Sequence, residues 1–296
     1  MARLQANGLE FEYEEYGSKD DPMMVLINGF SSQMTSWPAS FKQGLVDAGR
    51  RVVIYDNRDI GLSAELSDQT PPAPRDIIEG LAAGQSMHEK VPYVLDDMAK
   101  DAAEIITALG AEDADIMGVS MGGMISQILA LNHPERVRKV IPTMTTSGAP
   151  GLPTSTPEAQ QALTAQPKNR SLEALSELAV KNRAIFGSHT DLRDSDEQIY
   201  DHAMKTYQRS DRPMGVARQY AAILAQPRWH ERLNTLNIPT LVLHGDRDTL
   251  IPSGAGEDIA RRVPKAKMSV IEKWGHDMPH KAVPILLNEI VPFIKG

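Results

Sequence analysis

Three kinds of residue that act together in acyl transfer stand far apart in the chain, each directly after an apolar run. Ser120 ends the run ADIMGVS, Asp246 and Asp248 follow TLVLHG, and His276 follows MSVIEKW. A serine hydroxyl is a weak nucleophile near neutral pH and needs a histidine base whose ring is held by an acid. The order Ser, Asp, His therefore predicts a catalytic triad. Asp246 and Asp248 are both candidates for the acid, and Asp277, next to the base, is a weaker one.

Two glycines flank the serine, because the stretch reads GVSMGG from Gly118 onward. An apolar strand pattern ends at Ser120 and a helical pattern begins at Met121, so the turn between them must be tight. Gly118 and Gly122 mark positions where a Cβ atom would collide with neighbouring backbone. A purely structural tight turn is the alternative. The pattern predicts a nucleophile elbow, with the Met121 N–H at the start of the helix facing a developing oxyanion.

A second oxyanion donor is expected from the loop after the apolar run MMVLIN. Asn28 and Gly29 allow the chain to turn sharply there, and the N–H of Phe30 is the natural candidate. The alternative is that Asn28 and Gly29 form an ordinary turn without a role in catalysis. The stretch DNRDIGLS (56 to 63) follows the next predicted strand in the same way. We interpret it as a turn and salt-bridge unit that supports the floor of the site.

The histidine spacing does not predict a metal site. His280 lies four residues after His276, which is the spacing of a helical metal pair, but Pro279 would break such a helix and no carboxylate completes a ligand set. His244 is interpreted as a brace for the acidic turn. The other histidines fall in helical or loop patterns where surface positions are expected, and they are His88, His133, His189, His202 and His230. We expect neither a metal nor a cofactor.

The elements that must position these residues alternate along the chain. Asn7-Gly8 between two alternating runs predicts an N-terminal antiparallel hairpin. Six further apolar runs predict strands at 23 to 28, 51 to 56, 114 to 120, 137 to 144, 240 to 245 and 268 to 274. Helical periodicity falls at 37 to 49, 95 to 110, 121 to 133, 253 to 263 and 282 to 294. This alternation predicts an α/β fold with a mostly parallel, doubly wound sheet, whose ligand crevice lies at the carboxyl ends of the strands.

Two stretches interrupt that alternation. Residues 62–92 are rich in proline and polar residues and read as a long excursion with one short helix. Residues 147–235 contain three helical patterns and no strand pattern. We therefore expect a hydrolase core at 1–146 and 236–296, with 147–235 inserted after the sixth strand as a helical cap, or lid, over the carboxyl edge of the sheet.

Composition excludes several classes of function. The chain of 296 residues carries 31 Lys and Arg against 39 Asp and Glu, a net charge of -8, so nucleic acid and anionic membranes are not expected partners. There is no cysteine, which removes disulfides and a thiolate nucleophile. The N-terminal residues show no signal-peptide pattern, and no apolar stretch approaches 18 residues, so we expect a cytoplasmic protein. The oligomeric state is not predicted.

With these motifs in place, the chain resembles the α/β-hydrolase superfamily nearly end to end, and within it the capped esterases of the aclacinomycin methylesterase type. The motifs that carry the resemblance are NGF (28 to 30), DNRDIGLS (56 to 63), GVSMGG (118 to 123), HGDRD (244 to 248) and GHDMP (275 to 279). The resemblance implies that Ser120 is the nucleophile, Asp248 the acid and His276 the base. It also implies that the N–H groups of Phe30 and Met121 form the oxyanion hole.

Two departures from the family pattern are visible. Many members have His-Gly where this chain has Asn28-Gly29, and many have Arg-Gly-x-Gly where it has Arg58-Asp59-Ile60-Gly61. Asn28 in place of histidine leaves the backbone N–H of Phe30 available as a donor, but it changes the side chain that can hold the loop. The dehalogenase and epoxide hydrolase relatives carry aspartate at the nucleophile position, so Ser120 argues against both.

The resulting expectation is a cofactor-independent serine esterase acting on a small-molecule carboxylic ester through an acyl-enzyme. Two alternatives stay open. The same three residues serve C–C bond hydrolases, thioesterases, lactonases, perhydrolases and acyltransferases, and some relatives are ligand receptors without catalysis. The natural substrate is not predicted, because periodicity does not say which faces of the cap helices line the pocket.

Overall fold

A single mixed sheet forms the centre of the molecule, of which the computed structural model describes residues 2–296. Its strands are β1 (Ala2–Ala6), β2 (Leu9–Tyr16), β3 (Met23–Ile27), β4 (Arg51–Tyr55), β5 (Ala114–Val119), β6 (Val137–Thr143), β7 (Leu241–Gly245) and β8 (Lys267–Ile271). Their spatial order is β1-β2-β4-β3-β5-β6-β7-β8. β1 and β2 pair antiparallel, β2 joins β4 antiparallel, and the pairs from β4 to β8 are parallel. The predicted hairpin and doubly wound sheet are confirmed.

Helices connect the parallel strands, as the alternating pattern requires. They are α1 (Ala39–Asp47), α2 (Pro74–Ala82), α3 (Leu95–Ala108), α4 (Met121–Asn132), α5 (Pro157–Leu163), α6 (Leu172–Phe186), α7 (Asp196–Arg209), α8 (Pro213–Ala225), α9 (Gly254–Arg262) and α10 (Val283–Lys295). The five helices predicted to follow strands of the sheet are present within a few residues of their expected bounds, and α2 is the short helix of the 62–92 excursion.

Two apolar layers bury the sheet from both sides. Alternate residues of each strand point to opposite faces, so Val25 and Ile27 belong to the layer covered by α3, α4 and α9. Met24 and Leu26 belong to the layer covered by α1 and α10. All residues of β3, β4, β5 and β7 are buried. This double coverage explains why these strands read as unbroken apolar runs.

Four helices, α5 to α8, lie between β6 and β7 within residues 147–235. We call this stretch the helical segment, and its standing as a separate cap domain stays a prediction. The sequence reading missed α5, although its start carries a recognisable signal. Thr156 caps the helix by accepting a hydrogen bond from Ala159 N at 3.2 Å, and Pro157 occupies the first turn.

Candidate active site

Ser120 lies in a strand-turn-helix junction between β5 and α4, and its backbone is strained. Its φ of 54° and ψ of -120° lie in the positive-φ region, which residues other than glycine rarely adopt. A Cβ atom on Gly118 would lie 1.9 Å from Gly122 O, and one on Gly122 would lie 2.1 Å from Ile27 O. Both glycines are therefore required by close backbone contacts. Thr145 Oγ1 donates to Ser120 O at 2.7 Å and supports the turn from the end of β6.

Three side chains from three different strand ends meet at this turn. Ser120 Oγ lies 2.9 Å from His276 Nε2, and His276 Nδ1 lies 2.7 Å from Asp248 Oδ2. A carboxylate can only accept, so Nδ1 carries the proton and Nε2 is free to accept from the serine hydroxyl. The arrangement is that of a nucleophile, a base and an orienting acid. The structure thus brings together the three residues that the sequence proposes for the triad.

The Asp248 carboxylate is buried yet ionised. Its Oδ1 accepts hydrogen bonds from the backbone N–H groups of Leu250 at 3.0 Å and Ile251 at 2.8 Å. Burial by itself raises the pKa of this carboxyl, but the charge and hydrogen bond of His276, with His244 close by, outweigh it and lower the pKa to about 2. Asp248 therefore stays negative at any pH at which His276 works as a base, and it stabilises the imidazolium that forms.

His244, at the end of β7, supports the acid from behind. Its side chain is fully buried, and Nε2 lies 2.7 Å from Ile251 O and 3.6 Å from Asp248 Oδ2. Because Ile251 O only accepts, Nε2 carries the proton and points it toward the acidic turn. The interpretation of His244 as a brace agrees with these contacts.

The two alternative acids are engaged elsewhere. Asp246 Oδ1 accepts from Lys273 N at 2.7 Å, which ties the acidic turn to the loop after β8. Asp277 Oδ1 accepts from Ser188 Oγ at 2.5 Å and from Ser188 N at 3.2 Å, in the helical segment. Neither has a hydrogen bond to the His276 ring, so the geometry favours Asp248 as the orienting acid.

The loop after β3 packs directly on the serine. A Cβ atom on Gly29 would lie 3.2 Å from Ser120 Cβ, so this position favours a residue without a side chain. Across residues 2–296, neither Phe30 N–H nor Met121 N–H donates a hydrogen bond to another group. Two free backbone donors beside a nucleophile are what an oxyanion hole requires. Phe30 and Met121 are therefore still the candidate donors.

Aromatic rings from the helical segment cover both sides of the site. Tyr220 of α8 packs against Phe30 with ring centroids 5.7 Å apart, and Phe186 of α6 meets His276 edge-on at 6.2 Å. His276 N also donates to Phe186 O at 2.7 Å. The helical segment thus contacts both the candidate oxyanion loop and the candidate base.

Buried charges hold the DNRDIGLS stretch in place. Asp56 accepts from Met34 N at 2.8 Å and Leu62 N at 2.9 Å, while Arg58 forms two 2.6 Å hydrogen bonds with Asp101 of α3. Gly61 has a φ of 60°, and a Cβ there would lie 2.1 Å from the Asp56 carboxylate. The turn and salt-bridge unit exists, but the sequence did not indicate Asp101 as its partner.

His280 does not join His276 in a cluster of ligands. Its side chain is exposed, and Nδ1 lies 3.0 Å from Asp194 Oδ2 in the helical segment. Within residues 2–296, no group of three or more His, Asp or Glu side chains is arranged to hold a metal ion. The helices in this part of the chain also include none with the length and apolar character needed to cross a membrane.

Comparisons with known proteins agree with this fold. A family model described as the alpha/beta hydrolase fold matches residues 22–282. The chain is 25% identical to the rhodomycin D methylesterase DnrP of Streptomyces peucetius, with 90% of this chain and 88% of that protein aligned. It is 30% identical to a 2-hydroxymuconate semialdehyde hydrolase of Pseudomonas putida over 58% of this chain and 59% of that one. The crystal structure of an enol-lactonase from Burkholderia xenovorans LB400 superposes along both full chains with a TM-score of 0.75 at 20% identity.

Proposed function

Because this chain belongs to the α/β-hydrolase fold family, we propose that it is a serine hydrolase that cleaves carboxylic esters of small molecules. The observation that carries the proposal is the unbroken chain of hydrogen bonds from Ser120 Oγ through the His276 ring to Asp248. The methylesterase relative at 25% identity supports ester bonds as the substrate class.

The proposed reaction has two stages. His276 Nε2 takes the proton of Ser120 as Oγ attacks the ester carbonyl, and the Phe30 and Met121 N–H groups bind the oxyanion of the tetrahedral intermediate. The C–O bond to the alcohol breaks, and the alcohol leaves with the proton from His276. A water molecule then attacks the acyl-enzyme with His276 again as base. The acid is released and Ser120 regains its proton.

A Ser120→Ala variant tests the proposal. Hydrolysis of p-nitrophenyl acetate above the spontaneous rate should fall by about 10³-fold or more, because the nucleophile is gone. The variant should keep the parental thermal unfolding midpoint. Ser18→Ala, which alters an exposed serine remote from the site, should match the parent.

A fluorophosphonate probe gives an independent readout. We expect one covalent adduct on the parent, located at Ser120 by peptide mass spectrometry, and none on Ser120→Ala. Turnover by Ser120→Ala at the parental rate would contradict the mechanism. Binding of the probe without an adduct on the parent would support a non-catalytic receptor instead.

A second candidate reaction is C–C bond hydrolysis with the same three residues. It is favoured by the 30% identity to a 2-hydroxymuconate semialdehyde hydrolase. A panel of p-nitrophenyl esters of graded chain length, a lactone and a 2-hydroxymuconate semialdehyde separates the two. The ester proposal expects the largest kcat/KM on an ester, and a larger value on the semialdehyde would favour the second candidate.

A further inference from the structure

The candidate oxyanion loop, residues 28–32, has its peptide groups held in place by hydrogen bonds. Asn28 O accepts from Asn57 Nδ2 at 3.1 Å, and Ser32 N donates to Gly29 O at 3.3 Å. Ser31 N donates to Gln219 Oε1 of α8 at 3.0 Å. The Phe30 N–H belongs to the same peptide group as Gly29 O and is itself free. Its direction therefore depends on the turn from Gly29 to Ser32 that the Ser32 N to Gly29 O bond closes.

Gln219 is the member of this set that comes from the helical segment. Its side chain is fully buried, and while Oε1 accepts from Ser31 N, Nε2 donates to Arg58 O at 3.1 Å. Both partners are backbone groups in loops that follow neighbouring strands, so the amide joins the end of β3 to the end of β4. The preceding residue, Arg218, is ion-paired to Asp59 by two 2.9 Å hydrogen bonds. The helix that carries Gln219 is therefore held firmly at this point.

The conformation of Ser31 shows why this bond matters. Its φ is 59°, a left-handed conformation that a serine adopts only when its surroundings hold it there. Without the Gln219 acceptor, the peptide between Phe30 and Ser31 keeps only the 3.3 Å bond from Ser32 Oγ to Phe30 O, and Ser31 can relax toward an ordinary negative φ. Ser31 is the third residue of the four-residue turn that the Ser32 N to Gly29 O bond closes, so rotation of that peptide strains this bond. The bond orients the peptide group that carries the Phe30 N–H, and its loss lets the candidate donor turn away from Ser120.

We propose that Gln219 is a positioning residue for the reaction, which aims the Phe30 N–H at the oxyanion by fixing Ser31. This inference rests on the proposed function. It assigns to the helical segment a part in stabilising the transition state, beyond any part in shaping the substrate pocket.

A Gln219→Met variant keeps the volume of the side chain and removes both hydrogen bonds. Loss of a whole oxyanion donor costs about 10²- to 10³-fold in kcat, and a misaimed donor loses part of that. We expect kcat for p-nitrophenyl acetate to fall by about 10- to 100-fold, with KM changed less than about threefold. The affinity for a trifluoromethyl ketone, whose adduct places an oxyanion in the same position, should fall by the same factor as kcat/KM.

The matched control is Gln226→Met, just beyond α8. Gln226 also bridges the helix to the core with two bonds, accepting from Asp96 N at 3.2 Å and donating to Asp96 Oδ2 at 3.1 Å. It has no bond to the candidate oxyanion loop. We expect parental kcat and ketone affinity from this variant, even where its thermal midpoint drops as far as that of Gln219→Met.

A second variant, Gln219→Glu, keeps the inference testable if Gln219→Met does not fold. A carboxyl oxygen accepts from Ser31 N at the same chain length, and when burial keeps the group protonated its O–H donates to Arg58 O. We expect kcat within about threefold of the parent. A folded Gln219→Glu protein with a loss of tenfold or more would overturn the assignment.

The outcomes separate this inference from the proposed function. If the parent shows no Ser120-dependent turnover, the proposed function fails. If the parent turns over and Gln219→Met retains the parental kcat and ketone affinity, the function stands and Gln219 is only structural. A kcat loss equal in Gln219→Met and Gln226→Met would also reject the inference, because the effect would then come from the helix as a whole.

Discussion

The helical segment meets the carboxyl edge of the sheet at two places that are built differently. At the first, which we call the anchored contact, arginines pair with buried aspartates after β4: the buried Arg218 with Asp59 at 2.9 Å, and the partly buried Arg209 with Asp56 at 2.8 Å. At the second, the histidine-side contact, the chain after α6 lies along the loop that carries His276. It is held there by backbone hydrogen bonds, by the hydrogen bond from Ser188 to Asp277, and by the contact of His280, which is exposed, with Asp194.

This difference between the two contacts indicates where the helical segment can separate from the sheet. Removing one partner of a buried ion pair costs about 3 to 5 kcal/mol, because the other charge stays buried without compensation. A hydrogen bond contributes about 0.5 to 1.5 kcal/mol, or about 1.5 to 3 kcal/mol when one partner is charged, as in the bond from Ser188 to Asp277. We therefore expect the segment to open at the histidine-side contact, with the anchored contact as its hinge, and substrate to enter beside His276.

The largest expected effect follows from breaking the anchored contact. Arg218→Met leaves the fully buried Asp59 carboxylate without its cation, and the free energy of unfolding should fall by about 3 to 5 kcal/mol in urea titration. The control is Arg170→Met, which breaks a pair with Asp211 in the helical segment whose side chains are 41% and 27% exposed. That loss should be below about 1 kcal/mol. Equal losses would mean that burial does not distinguish the two pairs.

A smaller effect is expected from weakening the histidine-side contact. Ser188→Ala removes the hydroxyl that donates to Asp277 at 2.5 Å and accepts from Gly275 N at 3.0 Å. The free energy of unfolding should fall by about 1 to 3 kcal/mol, and amide hydrogen exchange should quicken at residues 186–189. Ser210→Ala, which removes a 2.8 Å bond to Gly61 O at the anchored contact, serves as control. If exchange at 186–189 rises as much in that control, the two contacts are not independent.

The smallest effect is expected from the exposed ion pair at the rim of the histidine-side contact. Lys273 Nζ lies 2.7 Å from Asp191 Oδ2, and the two side chains are 45% and 55% exposed. Salt screens such a pair, so Lys273→Met should leave the free energy of unfolding unchanged within error at 1 M NaCl. A large loss at that salt concentration would show that this rim, and not the buried arginines, holds the segment in place.

Most of the fold was predictable because its strands are covered on both faces. Runs such as MMVLIN and RVVIYD become β3 and β4 within a residue of the expected bounds, and Asn7-Gly8 forms the predicted hairpin. Helix α5 was missed because seven residues carry too little periodicity, although Thr156-Pro157-Glu158 is a good N-terminal signal. Local patterns therefore find elements whose length exceeds a turn or two.

The candidate site was predictable to the extent that its residues follow strand ends. Ser120, Asp248 and His276 each sit where a parallel strand stops, and a shared sheet edge brings such positions together. Gln219 and Ser188 were missed because each lies in or beside a helix with nothing local to mark it. Their roles arise from contacts with loops 188 and 87 residues away in the chain. Residue spacing along the chain does not predict such contacts, because they depend on how the helical segment packs against the sheet.

The positive φ of Ser120 has a consequence for how this protein can be followed in a cell extract. An unfolded chain relaxes that residue to an ordinary backbone conformation, and the histidine and aspartate no longer contact it. Reactivity toward a fluorophosphonate would then belong only to molecules that have completed their tertiary structure. The yield of adduct at Ser120 would therefore measure the amount of correctly folded protein, as distinct from the total amount synthesised.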